Sequence, residues 1–428
     1  MKEIRVVELF AGVGGFRLGL NDASKRNRKA KYKVVWSNQW EPSSGPNAQH
    51  ASEIYVREFK PKEGEHSCED IQQIVQNKFN EIKEHDLLVG GFPCQDYSVA
   101  RTLSQSEGLQ GKKGVLWWAI YDILKKNKSK KDVSSYLMLE NVDRLIKSPS
   151  SQRGRDFAVM LSSLNELGYI VEWRIINAAE YGFPQRRRRI YILGYKKGTE
   201  IYKKIKKEKE KFAWLNKNGV IAKAFPAVAC ENEKEESFSI KGGLDVVSKE
   251  FASDSPKKTR FQNSGLMIDG EVFTQKMIHN FKGELDALRK HLEDEKDISP
   301  EFIIDEKKDL EKWKKLKGSK SEPRTSKLGF VYNYSEGAML FPDDIDKPSR
   351  TIVTGEGGKS PSRFKHVIKT KSGYRRLTPV ELESLNMFPK NHTKKEGVSD
   401  TKRAFLMGNA LVVGVIDKLG KSLLKHIE

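Results

Sequence analysis

The chain has 428 residues, and its 78 Lys and Arg against 58 Asp and Glu give a formal net charge of +20. This length fits two or three domains of roughly 150 residues each. No apolar run reaches the ~18 residues of a membrane-spanning helix, and the start of the chain lacks the core of a signal peptide. The cysteines Cys68, Cys94 and Cys230 include no C-x-x-C pair, so we expect no disulfide framework and no metal site. The composition predicts a protein of a reducing, cytoplasmic compartment with a polyanionic partner, nucleic acid before membrane.

Predicted strands and helices alternate through the first 195 residues. We expect strands at residues 4–10, 32–38, 86–89, 136–139, 170–176 and 190–193, and helices near residues 16–20, 115–126 and 156–167. This order predicts an α/β fold with a doubly wound, mostly parallel sheet and helices on both faces. Such a sheet binds ligands at the carboxyl ends of its strands.

The pattern changes after residue 195. Residues 196–211 are lysine-rich, residues 283–295 are a helix candidate, and residues 306–320 alternate charges as a solvated helix does. The apolar run at residues 410–416 and the helical tail behind it indicate a return to the first domain. We therefore predict one domain of residues 1–195 plus 401–428 and a second, smaller and irregular domain of residues 196–400.

Glycines follow the first predicted strand. In Phe10-Ala-Gly-Val-Gly-Gly15 they allow a ligand to approach the backbone where a Cβ would collide. The spacing G-x-G-G differs from the G-x-G-x-x-G of a pyrophosphate loop. A nucleoside cofactor and a plain strand-to-helix turn therefore both stay open.

A cysteine-containing run, Gly90-Gly-Phe-Pro-Cys-Gln-Asp-Tyr-Ser98, directly follows the third predicted strand. It puts Cys94 on a loop at the ligand edge of the sheet, where exposure and a positive neighbour or a helix N-terminus produce a thiolate nucleophile. A lone cysteine is more often a small buried apolar residue. That interpretation fits Cys68 and Cys230 but not Cys94 in this setting.

Two further polar motifs are expected at the same edge. Glu140-Asn-Val142 follows the fourth strand, where a carboxyl group can exchange a proton with a substrate ring or cap a helix. Four arginines, Arg186 to Arg189, enter the sixth strand, and side-chain alternation predicts that Arg187 and Arg189 share a face. One pair of arginines is then aimed into the site, and a solvated phosphate-binding patch is the alternative.

Taken in chain order, these motifs resemble those of the DNA (cytosine-5)-methyltransferases of the bacterial restriction–modification type. The resemblance covers residues 1–195 and about 370–428, and the middle third corresponds to the family's variable recognition region. It implies the S-adenosylmethionine-dependent methyltransferase fold, S-adenosylmethionine as cofactor and S-adenosylhomocysteine as product. It also implies that residues 1–195 plus 401–428 are the catalytic and cofactor-binding domain and that residues 196–400 are the target-recognition domain, called the recognition domain below. The residues that match the family's cofactor positions are Phe10, Ala11, Gly12, Gly14, Gln39, Trp40, Asp70, Ile71, Pro93, Leu116 and Asn409.

One position departs from the family pattern. The family's Asn-Glu-Trp is Asn38-Gln39-Trp40 in this chain, and the family's glutamate accepts hydrogen bonds from the ribose hydroxyls. The amide oxygen of Gln39 can accept instead, and Glu41 is close by in sequence. Whether Gln39 or Glu41 holds the ribose stays open.

The resemblance also implies a covalent mechanism on a cytosine flipped out of the duplex. Cys94 would attack carbon 6, Glu140 would stabilise protonation at ring nitrogen 3, and loss of the carbon 5 proton after methyl transfer would release the enzyme. Arg187 or Arg189 would hold the base carbonyl oxygen and the neighbouring phosphate through fork-like donors.

Recognition of the duplex is expected from the middle and late chain and from the nucleophile loop. Residues 347–354 and the glycine-rich residues 355–358 resemble a recognition loop. Arginine and lysine side chains in such segments read guanine or, more often, contact phosphate. The candidate DNA-contacting residues are Gln95, Ser98, Arg186, Arg350, Thr354, Arg363 and Lys365. Charge is local, with +9 on residues 186–211, +6 on residues 307–330 and +8 on residues 347–376, which favours a DNA cleft over general solubility.

We therefore expect a cytoplasmic, nucleoid-associated monomer on duplex DNA, with no membrane partner and in functional pairing with a restriction endonuclease. A tRNA cytosine-5 methyltransferase would share the fold and motifs but have a small recognition region, whereas about 200 residues separate Tyr195 from Thr401. A nicotinamide dehydrogenase leaves Pro93, Cys94 and the arginine motif unexplained. A catalytically dead DNA-binding module would lack Cys94 or Glu140.

Overall fold

The computed structural model describes residues 1–25, 27–42, 48–92, 116–130, 133–325 and 329–427. The predicted site residues Pro93, Cys94, Gln95 and Ser98 lie outside the described residues. Contacts divide the chain into two compact units. The first unit holds residues 1–181, 188–283 and 413–428, and the second unit holds residues 182–187 and 284–412. The recognition domain of residues 196–400 stays a prediction about function, and by contacts residues 196–283 belong with the first unit.

A sheet of ten strands among the described residues forms the centre of the first unit. The strands of this unit are β1 (Lys2–Leu9), β2 (Ala30–Asn38), β3 (His66–Ser67), β4 (Leu87–Gly91), β5 (Tyr136–Val142), β6 (Tyr169–Asn177), β7 (Arg188–Lys196), β8 (Ala227–Ala229), β9 (Glu236–Ser239), β10 (Ser264–Ile268), β11 (Glu271–Gln275) and β12 (Met277–His279). The order in the large sheet is β3-β2-β1-β4-β5-β7-β6-β10-β11-β9, and β8 pairs separately with β12. The pairs from β3 to β5 are parallel, and those from β5 to β9 are antiparallel.

The parallel half consists of strands that are apolar on both faces. Val6, Val7, Leu88 and Leu137 are all buried, as expected for strands covered by helices on both sides. The six predicted strands all lie in this sheet, and seven of its ten described strands run in one direction, which confirms the predicted α/β class. The strands at residues 236–275 were not predicted. They extend the sheet by antiparallel pairing to β6, in a stretch that the sequence analysis placed in the recognition domain.

Helices cover the sheet and form much of the second unit. The described α-helices are α1 (Gly15–Ser24), α2 (His50–Phe59), α3 (Ile71–Asn77), α4 (Leu116–Lys126), α5 (Arg155–Glu166), α6 (Glu200–Lys207), α7 (Lys211–Ala213), α8 (Val220–Ala224), α9 (Leu244–Glu250), α10 (Leu310–Lys317), α11 (Pro379–Leu385), α12 (Asp400–Asn409) and α13 (Val413–Ile427). α13 packs against α1 so closely that a Cβ on Gly19 would lie 2.6 Å from the Cβ of Ile416. By contacts the chain returns to the first unit from Val413 onward, and the domain boundary at residue 401 stays a prediction.

The helix predicted at residues 283–295 is not formed. Two short 3-10 turns, Leu288–His291 and Glu295–Asp297, take its place. The backbone N–H of Leu288 donates to the carbonyl of Lys347, and that of Arg289 donates to the carbonyl of Ile345. These tertiary hydrogen bonds use donors that a helix would need, so the amphipathic pattern alone was misleading.

The second unit contains two short antiparallel ladders. Its strands are β13 (Lys320–Thr325), β14 (Val331–Glu336), β15 (Val367–Thr370) and β16 (Gly373–Arg376). A small apolar cluster of Ile304, Trp313 and Val367 supports them. The charged helix predicted at residues 306–320 is α10. It buries Trp313 and Lys317, while Lys312, Lys314 and Lys315 face solvent. None of the helices in the described ranges is long and apolar enough to cross a membrane.

Candidate active site

The glycine turn after β1 needs backbone conformations that few residues adopt. Phe10, Gly12 and Gly14 have φ values of 53°, 55° and 88°, in the left-handed region where glycine is favoured. A Cβ on Gly14 would lie 2.1 Å from a ring carbon of Phe59, whereas a Cβ on Gly12 would meet nothing within 4 Å. The turn leads directly into α1 at Gly15. Gly14 therefore allows close packing, and Gly12 leaves the backbone open to a ligand.

The segment after β2 is bonded to this turn. The Gln39 side-chain Oε1 accepts a hydrogen bond from the Gly12 N–H at 2.7 Å, and the Ala11 N–H donates to the Asn38 carbonyl at 3.0 Å. Trp40 is half-buried beside them. The Glu41 Oε2 accepts from the Ala51 N–H in the first turn of α2 at 2.8 Å. Gln39 thus contacts the glycine turn, whereas Glu41 contacts a helix N-terminus.

Asp70 and Ile71 begin the helix after β3. Asp70 is the N-cap of α3, where its Oδ1 accepts from the Gln72 N–H at 2.9 Å, and Ile71 is buried. The Asn38 amide donates to the Glu69 carbonyl at 2.9 Å, which fixes this segment to the end of β2. The predicted cofactor residues after β1, β2 and β3 therefore lie at one edge of the sheet. These groups fit a nucleoside with an amino-acid tail, because they combine an open backbone turn, an aromatic ring and polar oxygens.

A buried polar group lies under the glycine turn. The Glu8 carboxylate accepts hydrogen bonds from the Tyr55 hydroxyl at 2.8 Å and from the Arg17 N–H in α1 at 3.3 Å. Burial raises the pKa of Glu8 to about 7, although the Tyr55 hydrogen bond and the Arg17 charge oppose that rise. The sequence analysis missed this group, since no local signal connects Tyr55 on α2 with Glu8 on β1.

Glu140 lies at the carboxyl end of β5, and Arg189 lies near the start of the neighbouring antiparallel strand β7. The Arg189 Nε is 3.0 Å from the Glu140 Oε1, and the two side chains are 17% and 13% exposed. A Cβ on Gly91 would lie 3.2 Å from the Glu140 Oε2. The carboxylate is thus fixed by a guanidinium and lies directly beside the strand that leads to Cys94.

Asn141 is the second residue that holds this strand end. Its buried side-chain amide donates to the Phe92 carbonyl at 2.9 Å, one residue before Pro93. Residues 93–115 lie outside the described ranges, and the chain resumes with the half-buried Leu116 at the start of α4. The geometry therefore fixes the point from which the predicted nucleophile loop departs.

Arg187 is not placed as strand alternation predicted. β7 begins at Arg188, and Arg187 belongs to the second unit. Its buried guanidinium donates to the Ile352 carbonyl at 3.2 Å and to the Gly408 carbonyl at 3.0 Å. Gln185 lies nearby and accepts from the Ile352 N–H at 3.1 Å. This environment favours a positioning role for Arg187, and a contact with the substrate stays a prediction.

The predicted DNA-contacting residues of the described chain fall into two groups. Arg186 and Thr354 are exposed. The predicted cofactor residue Asn409, which is the last residue of α12, is exposed as well. Arg350 instead pairs with Asp343, while Arg363 and Lys365 are buried. The Lys365 ammonium donates to the carbonyls of Gly358 at 2.9 Å and Ser360 at 2.8 Å. The bonding of these three basic residues supports structural roles, and their contact with DNA stays untested.

The sheet has a glycine turn at the end of one parallel strand and an acid–arginine pair two strands away. This arrangement is typical of one class of protein, the α/β enzymes of the methyltransferase fold. Comparison with solved structures agrees. The Dnmt2 methyltransferase of S. pombe is similar with a TM-score of 0.58 over 99% of this chain and 98% of its own, at 17% sequence identity. A methyltransferase of Entamoeba histolytica, EhMeth, gives a TM-score of 0.57 at 15% identity over the full length of both chains.

Sequence comparison identifies the family. The family model for C-5 cytosine-specific DNA methylase matches residues 4–425. The Type II methyltransferase M.Sau3AI of Staphylococcus aureus is 44% identical over 426 residues, which are 99% of this chain and 96% of that protein. The Type II methyltransferase M.HhaI of Haemophilus parahaemolyticus is 31% identical over 198 residues, about half of each chain. The chain belongs to the C-5 cytosine-specific DNA methylase family and is a DNA (cytosine-5)-methyltransferase.

Proposed function

We propose that this enzyme methylates carbon 5 of a flipped-out cytosine in a specific duplex DNA sequence through a covalent adduct with Cys94. The observation that supports this proposal is the Glu140–Arg189 pair, which lies beside Gly91 on the strand that leads to the nucleophile loop. The family assignment supports DNA over tRNA as the substrate, because the family model that matches residues 4–425 describes a C-5 cytosine-specific DNA methylase.

The cofactor that we propose is S-adenosylmethionine, which supplies an electrophilic methyl group when bound. The residues that would hold it are the Phe10–Gly14 turn, Gln39, Trp40, Asp70 and Ile71, with Leu116 and Asn409 as further candidates. Trp40 offers a flat apolar surface to an adenine ring, and Asp70 and Gln39 offer oxygen acceptors to hydroxyl or amino groups. Gly12 leaves room for backbone contact.

Residues of this chain carry out the other steps of the reaction. Cys94 forms a bond to carbon 6 of the base, while the Glu140 carboxyl group donates a hydrogen bond or a proton at ring nitrogen 3. This electron shift makes carbon 5 nucleophilic. Arg189 orients the Glu140 carboxylate and, through its remaining N–H groups, the carbonyl oxygen of the base. Carbon 5 would form its new bond to the methyl group that the bound cofactor supplies. Loss of the carbon 5 proton to a base or to water then re-forms the carbon 5–carbon 6 double bond, breaks the carbon 6–sulfur bond and releases Cys94.

The biological role that we propose is protection of DNA in a restriction–modification system, beside an endonuclease that reads the same sequence. The support is the extent of the match to M.Sau3AI, a Type II methyltransferase, over almost the whole of both chains. A monomer acting on DNA in the bacterial cytoplasm is part of this proposal.

The direct test of the activity is transfer of tritiated methyl groups from S-adenosylmethionine to duplex DNA by wild type, Cys94→Ser and Glu140→Gln. Wild type should label DNA, and Cys94→Ser should not label it while still binding the cofactor. Labelling of transfer RNA in preference to duplex DNA would overturn the substrate assignment. Full activity of Cys94→Ser would overturn the covalent mechanism.

A further inference from the structure

The two-stranded ribbon formed by β13 and β14 is a largely exposed element of the second unit. Its ladder has six residue pairs, from Lys320 opposite Glu336 to Thr325 opposite Val331. Val331 and Tyr332 are 72% and 48% exposed. An isolated two-stranded ribbon is marginally stable in water, so a ribbon with apolar residues in solvent needs either an anchor or a partner.

The anchor is Arg363. Its Nη1 donates to the carbonyls of Leu316 at 3.0 Å and Gly318 at 2.6 Å, where the chain enters the ribbon. Its Nη2 donates to the carbonyl of Gly337, where the chain leaves the ribbon. Its Nε lies 3.1 Å from the Glu336 Oε2. One buried guanidinium therefore joins both ends of the ribbon and fixes its base.

One face of the ribbon presents a preorganised guanidinium. Arg324 Cζ lies 3.6 Å from the centre of the Tyr334 ring, and its Nε donates to the Glu322 Oε1 at 2.8 Å. Register puts Tyr332 directly opposite Arg324 on the same face. An arginine held flat on an aromatic ring loses little conformational entropy when it binds an anion or a base edge.

The surroundings of the ribbon carry positive charge. The exposed lysines Lys307, Lys308, Lys312, Lys314 and Lys315 lie on or just before α10, which ends at the first strand of the ribbon. Only two of these lysines form ion pairs in the described chain, Lys312 with Asp309 and Lys314 with Glu311. This charge is complementary to the phosphates of a duplex, and a two-stranded ribbon has the width to enter the major groove.

We infer that the β13–β14 ribbon enters a groove of the duplex, with Arg324 and Tyr332, which share one face of the ribbon, as residues that determine specificity and Arg363 as their positioning residue. Residues 326–328 lie outside the described ranges and have no part in this inference. The inference rests on the proposed function, since it names the element by which that same enzyme contacts DNA. It assigns the base-contacting role to a segment that the sequence analysis described only as part of a charged stretch.

The test compares Arg324→Ala and Tyr332→Ala with wild type in two assays. Fluorescence anisotropy measures affinity for duplex DNA without cofactor, and initial rates of methyl transfer give KM for DNA and kcat. We expect affinity to fall at least tenfold and KM to rise in parallel, with kcat at saturating DNA within about twofold of wild type. Discrimination between the cognate duplex and duplexes with one base pair changed should also fall.

Matched variants make this result interpretable. Leu340 and Phe364 are exposed apolar residues of the same unit outside the ribbon, at 60% and 52% exposure, so Leu340→Ser and Phe364→Ser should retain wild-type KM. Arg324→Lys keeps the charge but loses the planar fork, and it should recover affinity without recovering discrimination. The measurement of DNA affinity by anisotropy does not require methyl transfer. A wild-type protein that binds DNA without methylating it would therefore refute the proposed function, while the contribution of the ribbon to DNA affinity could still be measured.

Two results would overturn the inference. One is wild-type affinity and discrimination in Arg324→Ala and Tyr332→Ala. The other is a wild-type protein that self-associates in sedimentation and loses only that self-association in Val331→Ser, which would make the ribbon a contact between copies of this chain.

Discussion

The Arg189 Nε lies 3.0 Å from the Glu140 Oε1, across the antiparallel pair of strands β5 and β7. Register places Arg189 opposite Val142, two residues beyond Glu140 on the same face of the sheet. The guanidinium therefore reaches back along the strand to the carboxylate. This contact connects the two motifs that the sequence analysis could only assign to the same edge.

Replacement of Arg189 by Ala should lower kcat by about 10²–10³-fold, because an unheld carboxylate loses its orientation for proton transfer. Initial rates of methyl transfer at saturating DNA and cofactor measure this effect. Arg188→Ala is the matched control, since Arg188 is exposed and its pair with Asp143 is a surface ion pair worth little. Equal losses in the two variants would contradict a specific role for the Glu140–Arg189 contact.

Gln39→Ala should raise KM for S-adenosylmethionine about fivefold, because one hydrogen bond to the glycine turn is worth about 1 kcal/mol. Gln39→Glu keeps the acceptor and should stay within about threefold of wild type. Glu41→Gln also keeps an acceptor for the Ala51 N–H and should leave KM unchanged. A raised KM for S-adenosylmethionine in Glu41→Gln, together with a wild-type KM in Gln39→Ala, would show that Glu41 holds the ribose.

Glu8 should make the stability of the enzyme depend on pH. Its pKa is about 7 in the folded chain against an ordinary value of 4.5, so between these values the folded state retains a proton that the unfolded state has lost. Stability relative to Glu8→Gln should therefore fall as the pH rises from about 4.5 to about 7, by up to about 3 kcal/mol, and stay level above that.

Denaturant titrations at pH 5, 6, 7 and 8 measure this difference. Glu3 is a half-buried residue on the same strand, and the hydrogen bond from Lys33 lowers its pKa, so Glu3→Gln should run parallel to wild type between pH 5 and pH 8. If the difference in the free energy of unfolding between wild type and Glu8→Gln did not change with pH, that result would contradict the raised pKa of Glu8.

Arg187→Ala should destabilise the protein by about 3 kcal/mol, because two buried carbonyls lose a charged donor. Arg187→Lys should recover less than half of that loss, since one ammonium group cannot reproduce the planar fork. The measurement is the free energy of unfolding in denaturant, with the exposed Arg186→Ala as control. A stable Arg187→Ala enzyme without activity would instead support the predicted contact with the substrate.

The elements that sequence reasoning located are those fixed by local pattern. Apolar runs gave the six strands, and the glycines at 12 and 14 marked a turn whose positive φ angles the structure contains. Glu140 could be assigned to the ligand edge because it directly follows the predicted strand of residues 136–139, and the structure has it near the carboxyl end of β5.

The contacts that sequence reasoning did not predict depend on distant partners. Arg187 was expected to share a strand face with Arg189, but its carbonyl partners are 165 and 221 residues away in sequence. The backbone carbonyls that accept hydrogen bonds from Arg363 and Lys365 were not predicted either, and the contact of these two residues with DNA stays a prediction. Burial of a cation depends on such acceptors, and no local pattern reveals them.

The most direct test of the central claim is bisulfite sequencing of a plasmid recovered from cells that express wild type, Cys94→Ser or Glu140→Gln. The account predicts 5-methylcytosine at one short sequence in the wild-type plasmid, none with Cys94→Ser and a strongly reduced level with Glu140→Gln. Absence of 5-methylcytosine with folded wild-type enzyme, or its persistence with Cys94→Ser, would contradict the claim.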